Sequence, residues 1–206
     1  MENTCTIKNE NISEISVLKS KFIGIIVPFF DANLLKATLK EYKKKFPKAR
    51  HYCYAYVLKN NQKFSDDGEP SGTAGKPMLD ILNRNNLTNV LLIVVRYFGG
   101  TLLGSGRLLR TYVEIASETV DKAPKFLLEE KLAVRVEVDQ SKFDLFKHYL
   151  KINHFDLVHL EFNVKIQIDF LATKDLDLDE LESKFLFKVK VISFKETEIL
   201  KSIDRR

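Results

Sequence analysis

Only two cysteines, Cys5 and Cys53, occur in the 206 residues of this chain. Two thiols supply neither a disulfide framework nor the ligand spacing of a structural zinc site, and a reducing cytoplasm is the compartment they fit. Long apolar runs are missing as well. No stretch is both long and apolar enough to cross a bilayer, so no membrane partner is expected. Residues Met1 to Glu10 are polar and include two glutamates, without the basic start and apolar core of a signal peptide, and we expect no secretory leader.

Several site patterns are lacking too. A Walker-type phosphate loop would need glycine where Pro70 stands and serine or threonine where Pro77 stands. The regularly alternating oxygen ligands of an EF-hand are absent from the same segment. Gly104-x-Gly106 is followed by Leu109 at the place of the third glycine, which breaks the dinucleotide fingerprint. His148, His154 and His159 have no spacing that implies shared ligation, so neither a metal nor a cofactor is expected. Charge is uneven without being extreme: residues 1–126 hold 19 Lys+Arg against 12 Asp+Glu, a net of +7, and residues 127–206 hold 14 against 16, a net of −2. A basic first half favours a polyanionic partner there but does not require one.

What is present is organised around Val90 to Arg110. Six consecutive apolar residues, Val90 to Val95, read as a strand covered on both faces. The strand gives way to Arg96-Tyr97-Phe98 and a glycine-rich loop, Gly99-Gly100-Thr101-Leu102-Leu103-Gly104-Ser105-Gly106, before a helix from Ser105 to Lys122 that Pro124 ends. A helix N-terminus behind such a loop, with Arg96, Arg107 and Arg110 around it, suits phosphate or carboxylate recognition. Glycines at a strand end also occur simply because two backbones pass closely, and both readings stay open. The helix stripe is Leu108, Leu109, Tyr112, Ile115, Ala116, Thr119 and Val120.

Upstream, Ile12 to Phe30 reads as strand, closed by Pro28, and Asp31 caps a helix that Pro47 ends. The lysines of that helix, Lys36, Lys40, Lys43, Lys44 and Lys45, read as a solvated face. His51 to Val57 alternates with period two, so Tyr52, Tyr54 and Tyr56 share a face that either stacks bases or packs under a helix. A hairpin turn at Asn60-Asn61 leads to a return strand and then to a turn-rich segment, Asp66-Asp67-Gly68-Glu69-Pro70-Ser71-Gly72-Thr73-Ala74-Gly75-Lys76-Pro77. Three carboxylates followed by small residues and Lys76 admit a hard-cation site or a phosphate loop. We expect Asp66, Asp67 and Glu69 to shape and cap the loop instead. A helix follows from about Pro77 to Arg84. A parallel or mixed sheet would bring Lys76, Arg96, Arg107 and Arg110 to one face.

From Lys125 onward the order is βαββαβ: strand Phe126 to Val138, helix Ser141 to Ile152, strands Phe155 to Phe162 and Val164 to Leu171, helix Asp175 to Phe185, and strand Val189 to Phe194. In about 80 residues this is the ferredoxin-like sandwich. Asp175, Asp177, Asp179, Glu180 and Glu182 crowd a helix start, where they complement the dipole. The chain is therefore expected to be an α+β protein of two domains, 1–126 and 127–206, divided between Pro124 and Glu130.

Four stretches together resemble the YigZ/IMPACT family: Ser20-Lys21-Phe22-Ile23, Ala49-Arg50-His51-Tyr52-Cys53-Tyr54-Ala55, Phe64 to Met78, and Val94-Val95-Arg96-Tyr97-Phe98-Gly99-Gly100. The resemblance covers residues 15 to 122. Arg107 stands where that family commonly has glycine. The resemblance implies a first domain like domain 2 of ribosomal protein S5 and a ferredoxin-like second domain, similar to two adjacent domains of elongation factor G. Eukaryotic members are translation regulators that compete for the scaffold activating a stress-responsive initiation-factor kinase.

The expected function is a non-enzymatic regulatory module contacting the ribosome, structured RNA or a ribosome-associated protein. Lys76, Arg96, Gly99, Gly100, Gly104, Gly106, Arg107 and Arg110 are its candidate anion-binding residues; Asp66, Asp67, Gly68, Glu69, Gly72, Thr73 and Gly75 form the signature loop. Against nucleic acid, the second half lacks the aromatic and glycine motif of RNA-recognition domains. The alternative is an enzyme using Asp66, Asp67 and Glu69 as acid/base or cation-binding groups on an anionic substrate. It lacks a matching nucleophile, because Cys53 beside His51 reads as a buried small residue.

Overall fold

A computed structural model describes residues 4–186 and 188–202; the expected domain ends at 1–3 and 203–206 lie outside the described residues. The protein is mixed α+β with two five-stranded sheets. Described residues up to Leu127, together with Ser202, form one compact unit and Leu128–Lys201 a second.

The first unit begins with β1 (Cys5–Ile7), paired antiparallel with the opening residues of β7 (Lys125–Val138). Its main sheet has the order β2-β3-β6-β4-β5, from β2 (Asn11–Val17), β3 (Ser20–Pro28), β4 (His51–Leu58), β5 (Asn61–Ser65) and β6 (Val90–Tyr97). Every pairing in it is antiparallel, which corrects the expectation of a parallel or mixed sheet. The apolar run in β6 reports burial on two faces, and that says nothing about strand direction. Val90, Leu92 and Val94 pack with Met78 and Leu82 of α2 (Gly75–Arg84) and with Tyr112, Ile115 and Ala116 of α3 (Ser105–Lys122). On the opposite face Leu91, Ile93 and Val95 pack with Tyr52 and Tyr56 and with Leu35 and Tyr42 of α1 (Leu35–Lys45). The tyrosine face thus lies under a helix, while Lys36, Lys40, Lys43, Lys44 and Lys45 face solvent.

Local chemistry shifts several expected limits. Ile12 to Phe30 is two strands joined by Leu18 and Lys19, both at positive φ (46° and 64°), a tight hairpin formed without the glycine or asparagine that normally signals it. Asp31 does cap a helical start, accepting from the Asn33 N–H, but of a single 3-10 turn ahead of α1. The hairpin between β4 and β5 turns at Lys59-Asn60, and α2 starts two residues before Pro77. On α3, Leu109 points outward and Thr111 takes the buried place.

In the second unit β7, α4 (Phe143–Ile152), β8 (Asp156–Phe162), β9 (Ile166–Ala172), α5 (Leu178–Lys184) and β10 (Val189–Ser202) follow one another. The strand order is β10-β7-β9-β8. Val134, Val136, Ile168 and Phe170 alternate onto one sheet face and meet Phe146 and Leu150 of α4 and Leu181 of α5. Asp177 caps α5 by accepting from the Asp179 and Glu180 N–H groups, and Glu182 accepts from Val191 N–H. These carboxylates serve the backbone, and among the described residues no group of three or more His, Cys, Asp or Glu could hold a metal.

Gly24 of β3 tests how closely α3 lies on the sheet, because a Cβ built there would stand 2.1 Å from Thr119 Oγ1. Gly24→Ala should cost about 1–3 kcal/mol in urea denaturation. Adding Thr119→Ala should recover part of that loss; strictly additive losses would mean that the two positions do not press on each other.

Candidate functional site

Antiparallel pairing gathers the signature segments at one end of the first sheet. Arg96 at the end of β6 is opposite His51 at the start of β4, Tyr97 is opposite Lys21 at the start of β3, and β5 finishes at Ser65 against Tyr54. The loops 66–74 and 98–104 therefore leave the same edge.

The acidic loop is folded around its own carboxylates. Asp66 accepts three backbone N–H groups, from Gly72 (3.0 Å), Ala74 (3.0 Å) and Gly75 (2.8 Å). The last two belong to the start of α2, so a side-chain carboxylate already occupies the place a phosphate would take. Gly75 is needed there because a Cβ would stand 2.7 Å from the Ser65 backbone. Asp67 accepts the Tyr52 N–H at 2.7 Å, and its carbonyl lies 2.8 Å from His51 Nδ1. A carbonyl only accepts, so Nδ1 carries the proton and Nε2 is left facing Glu69 at 3.8 Å.

Glu69 is the buried member. Arg96 Nη1 donates toward both of its oxygens, at 2.7 and 2.9 Å, and the Tyr112 hydroxyl donates to Oε1 at 2.8 Å. Side-chain exposure is 3% for Glu69 and 6% for Arg96. The Tyr112 oxygen is in turn 3.3 Å from Cys53 Sγ, which also lies 3.0 Å from the Asp66 carbonyl. Burial, with the negative charges of Glu69, Asp67 and Asp66 beside it, pushes the Cys53 thiol far above its ordinary value. Burial and the neighbouring Cys53 and Glu69 do the same to the Tyr112 phenol. Both stay protonated at neutral pH, and a protonated buried thiol is a poor nucleophile.

Two of the four cations singled out from the sequence are thereby reassigned. Arg96 is not a solvent-facing anion contact: it is turned inward onto Glu69, its carbon Cζ 5.3 Å from the Phe22 ring and 5.7 Å from the Phe98 ring. Lys76 is exposed but paired with Asp80 one turn on, at 2.7 Å. Arg107 and Arg110 are exposed on the first turns of α3, and among the described residues neither forms an ion pair. Gly99 answers to packing, since a Cβ would lie 2.1 Å from the Lys19 backbone; Gly100 and Gly104 adopt positive φ, and Gly106 has open space around it. Of the loop residues, Gly68 and Gly72 also sit at positive φ, and Thr73 Oγ1 donates to the Pro70 carbonyl. Sequence reasoning overlooked Arg50, an exposed cation whose Cζ is 5.1 Å from the Phe98 ring; a cation next to the strand that pairs with Arg96 was the available signal.

What these features define is a two-unit α+β protein whose glycine-rich loops are locked together by a buried ion pair, with basic groups left at the rim. Residues 18–120 match the Impact N-terminal domain. The chain is 32% identical over 169 residues to IMPACT family member YvyE of Bacillus subtilis (strain 168), covering 80% of this chain and 77% of the relative. It is 42% identical over 101 residues to IMPACT family member YigZ of Escherichia coli (strain K12), covering 47% of this chain and 50% of that one. A crystal structure of a hypothetical protein aligns over the whole of both chains with a TM-score of 0.63 at 22% identity, a likeness of fold. The chain belongs to the IMPACT family.

Arg96→Ala would leave Glu69 charged and unpaired in the interior, and should cost about 3–5 kcal/mol in chemical denaturation. Lys43→Ala, on the solvated face of α1, should stay within about 0.5 kcal/mol of the parent. An Arg96→Ala variant as stable as Lys43→Ala would show that the pair does not hold the loops.

Proposed function

We propose that this chain is a non-enzymatic binding and regulatory protein linked to translation, which contacts the ribosome, structured RNA or a ribosome-associated protein through its basic first unit. It works in the cytoplasm as two domains, residues 1–126 with the fold of domain 2 of ribosomal protein S5 and residues 127–206 with the ferredoxin-like fold. Family membership supports the link to translation, because the resemblance to eukaryotic members implies regulators of that process. The β10-β7-β9-β8 order, with both helices on one face, supports the second fold assignment.

One observation carries the binding reading. Asp66 and Asp67 accept backbone N–H groups and Glu69 is paired with Arg96, whereas Arg107 and Arg110 stand exposed at the start of α3 without carboxylate partners among the described residues. An acid/base site needs a carboxylate that can reach a substrate, and a polyanion site needs cations that are free to do so. The start of α3 supplies the second.

The test compares Arg107→Ala with Arg110→Ala against Lys43→Ala with Lys44→Ala, measuring association with ribosomes and with structured RNA at two salt concentrations. Each lost phosphate contact should lower the slope of log affinity against log salt by roughly 0.7 to 0.9 in magnitude, and the arginine pair should flatten it more. Equal effects from the lysine pair would reduce the binding to diffuse attraction by the basic unit. The thiol supplies a separate check: iodoacetamide should leave Cys53 unmodified in the native chain and alkylate it in urea, and rapid native alkylation would reopen the enzyme reading.

A further inference from the structure

Aromatic rings and guanidinium groups alternate outward from the core at the end of β6. Phe22 is fully buried, Arg96 lies between the Phe22 and Phe98 rings, Phe98 is half-buried, and Arg50 lies over Phe98 and is exposed. The start of this outer rung is fixed by the backbone, since the Arg50 N–H donates to the Arg96 carbonyl at 2.9 Å. Among the described residues no carboxylate pairs with Arg50, whereas exposed Lys45, Lys76 and Lys122 each hold one. An exposed guanidinium held over a ring on one side keeps its outer side and its N–H edge for another partner.

Further cations flank the same exit. On the β3 side, Lys19 is exposed at the hairpin turn, and the missing Gly99 side chain lets the β6 exit run against its backbone. On the β4 side Lys48 is exposed and held at φ 65° two residues before Arg50. The β3 and β4 strands lie on either side of β6, so Lys19 belongs to one side of the Phe98-Gly99 exit and Lys48 and Arg50 to the other.

We propose that this ladder is a platform for an unpaired RNA nucleotide, whose base stacks on the outer face of Arg50 while Lys19 and Lys48 meet the neighbouring phosphates. A paired helix keeps its bases stacked inside and cannot offer a ring, so the ligand is a single-stranded loop, bulge or end. An acidic peptide would take the N–H edge of the guanidinium and leave its outer face uncovered. The inference rests on the ribosome or RNA reading above and names the part of the RNA that is held.

The full chain is titrated with a short unstructured RNA, with a fully paired RNA duplex and with ribosomes, as the parent, as Arg50→Lys and as Lys44→Ala. Arg50→Lys keeps the charge and removes the plane. The platform requires that the parent prefer the single strand, and that Arg50→Lys weaken single-strand binding about threefold to tenfold with the duplex and the salt slope unchanged. Lys44→Ala should show no such selectivity. Unchanged single-strand binding in Arg50→Lys, equal losses for both RNAs, or polyglutamate competing as well as RNA at equal charge overturns the platform. A parent chain that fails to bind ribosomes and both RNAs would sink the ribosome and RNA reading too; ribosome binding that is the same in parent and Arg50→Lys, without single-strand preference, sinks the platform alone.

Discussion

A carboxylate and a guanidinium, each almost wholly removed from water, hold the first unit in its working shape. Glu69 comes from a loop, Arg96 from the last turn of pleat in the central strand, and Tyr112 from the middle of α3. Three segments far apart in sequence meet at one carboxyl group. Desolvating two charges costs several kcal/mol, so such a pair adds little net stability, yet removing either partner strands the other. That asymmetry makes the pair a device for registry: the 66–74 loop cannot move away from β6 or α3 without leaving a buried charge exposed to nothing. Cys53, reaching both Tyr112 and the Asp66 carbonyl, extends the same network onto β4.

Much of the frame around that pair is legible in the residues. The limits of α3 at Ser105 and Lys122 follow from a helical stripe between a glycine loop and Pro124, and β6 follows from an uninterrupted apolar run. Period-two alternation separates the tyrosines from Cys53 and Ala55, and the structure puts them in different cores. Turn chemistry fails where the chain breaks its own rules. Leu18 and Lys19 make a tight hairpin that normally needs glycine or asparagine, and no local pattern announces it. Direction was misjudged because two-face burial is common to parallel strands and to central antiparallel ones.

The candidate site shows a different limit. Seven of the eight glycines fall within 68–75 and 99–106, which marks those segments as special from sequence alone. The use of each glycine is a tertiary matter: Gly99 makes room for the Lys19 backbone and Gly75 for Ser65, while Gly106 touches nothing. Arg96 shows it most clearly. Beside a glycine loop it reads as a contact for an outside anion, because nothing in the order of residues reveals that the anion is Glu69, 27 positions earlier and folded underneath.

Once Arg96 is accounted for internally, the charge at this edge has a simple logic. Asp66 and Asp67 accept backbone N–H groups, and Glu69 accepts from Arg96 and Tyr112, so these carboxylates are committed to partners within the chain. Arg50, Arg107 and Arg110 hold no carboxylate partner among the described residues, so their N–H edges are not already taken. The loop carboxylates thus close the loop from within, and Glu69 draws Arg96 inward while the arginines of the rim stay outside that network.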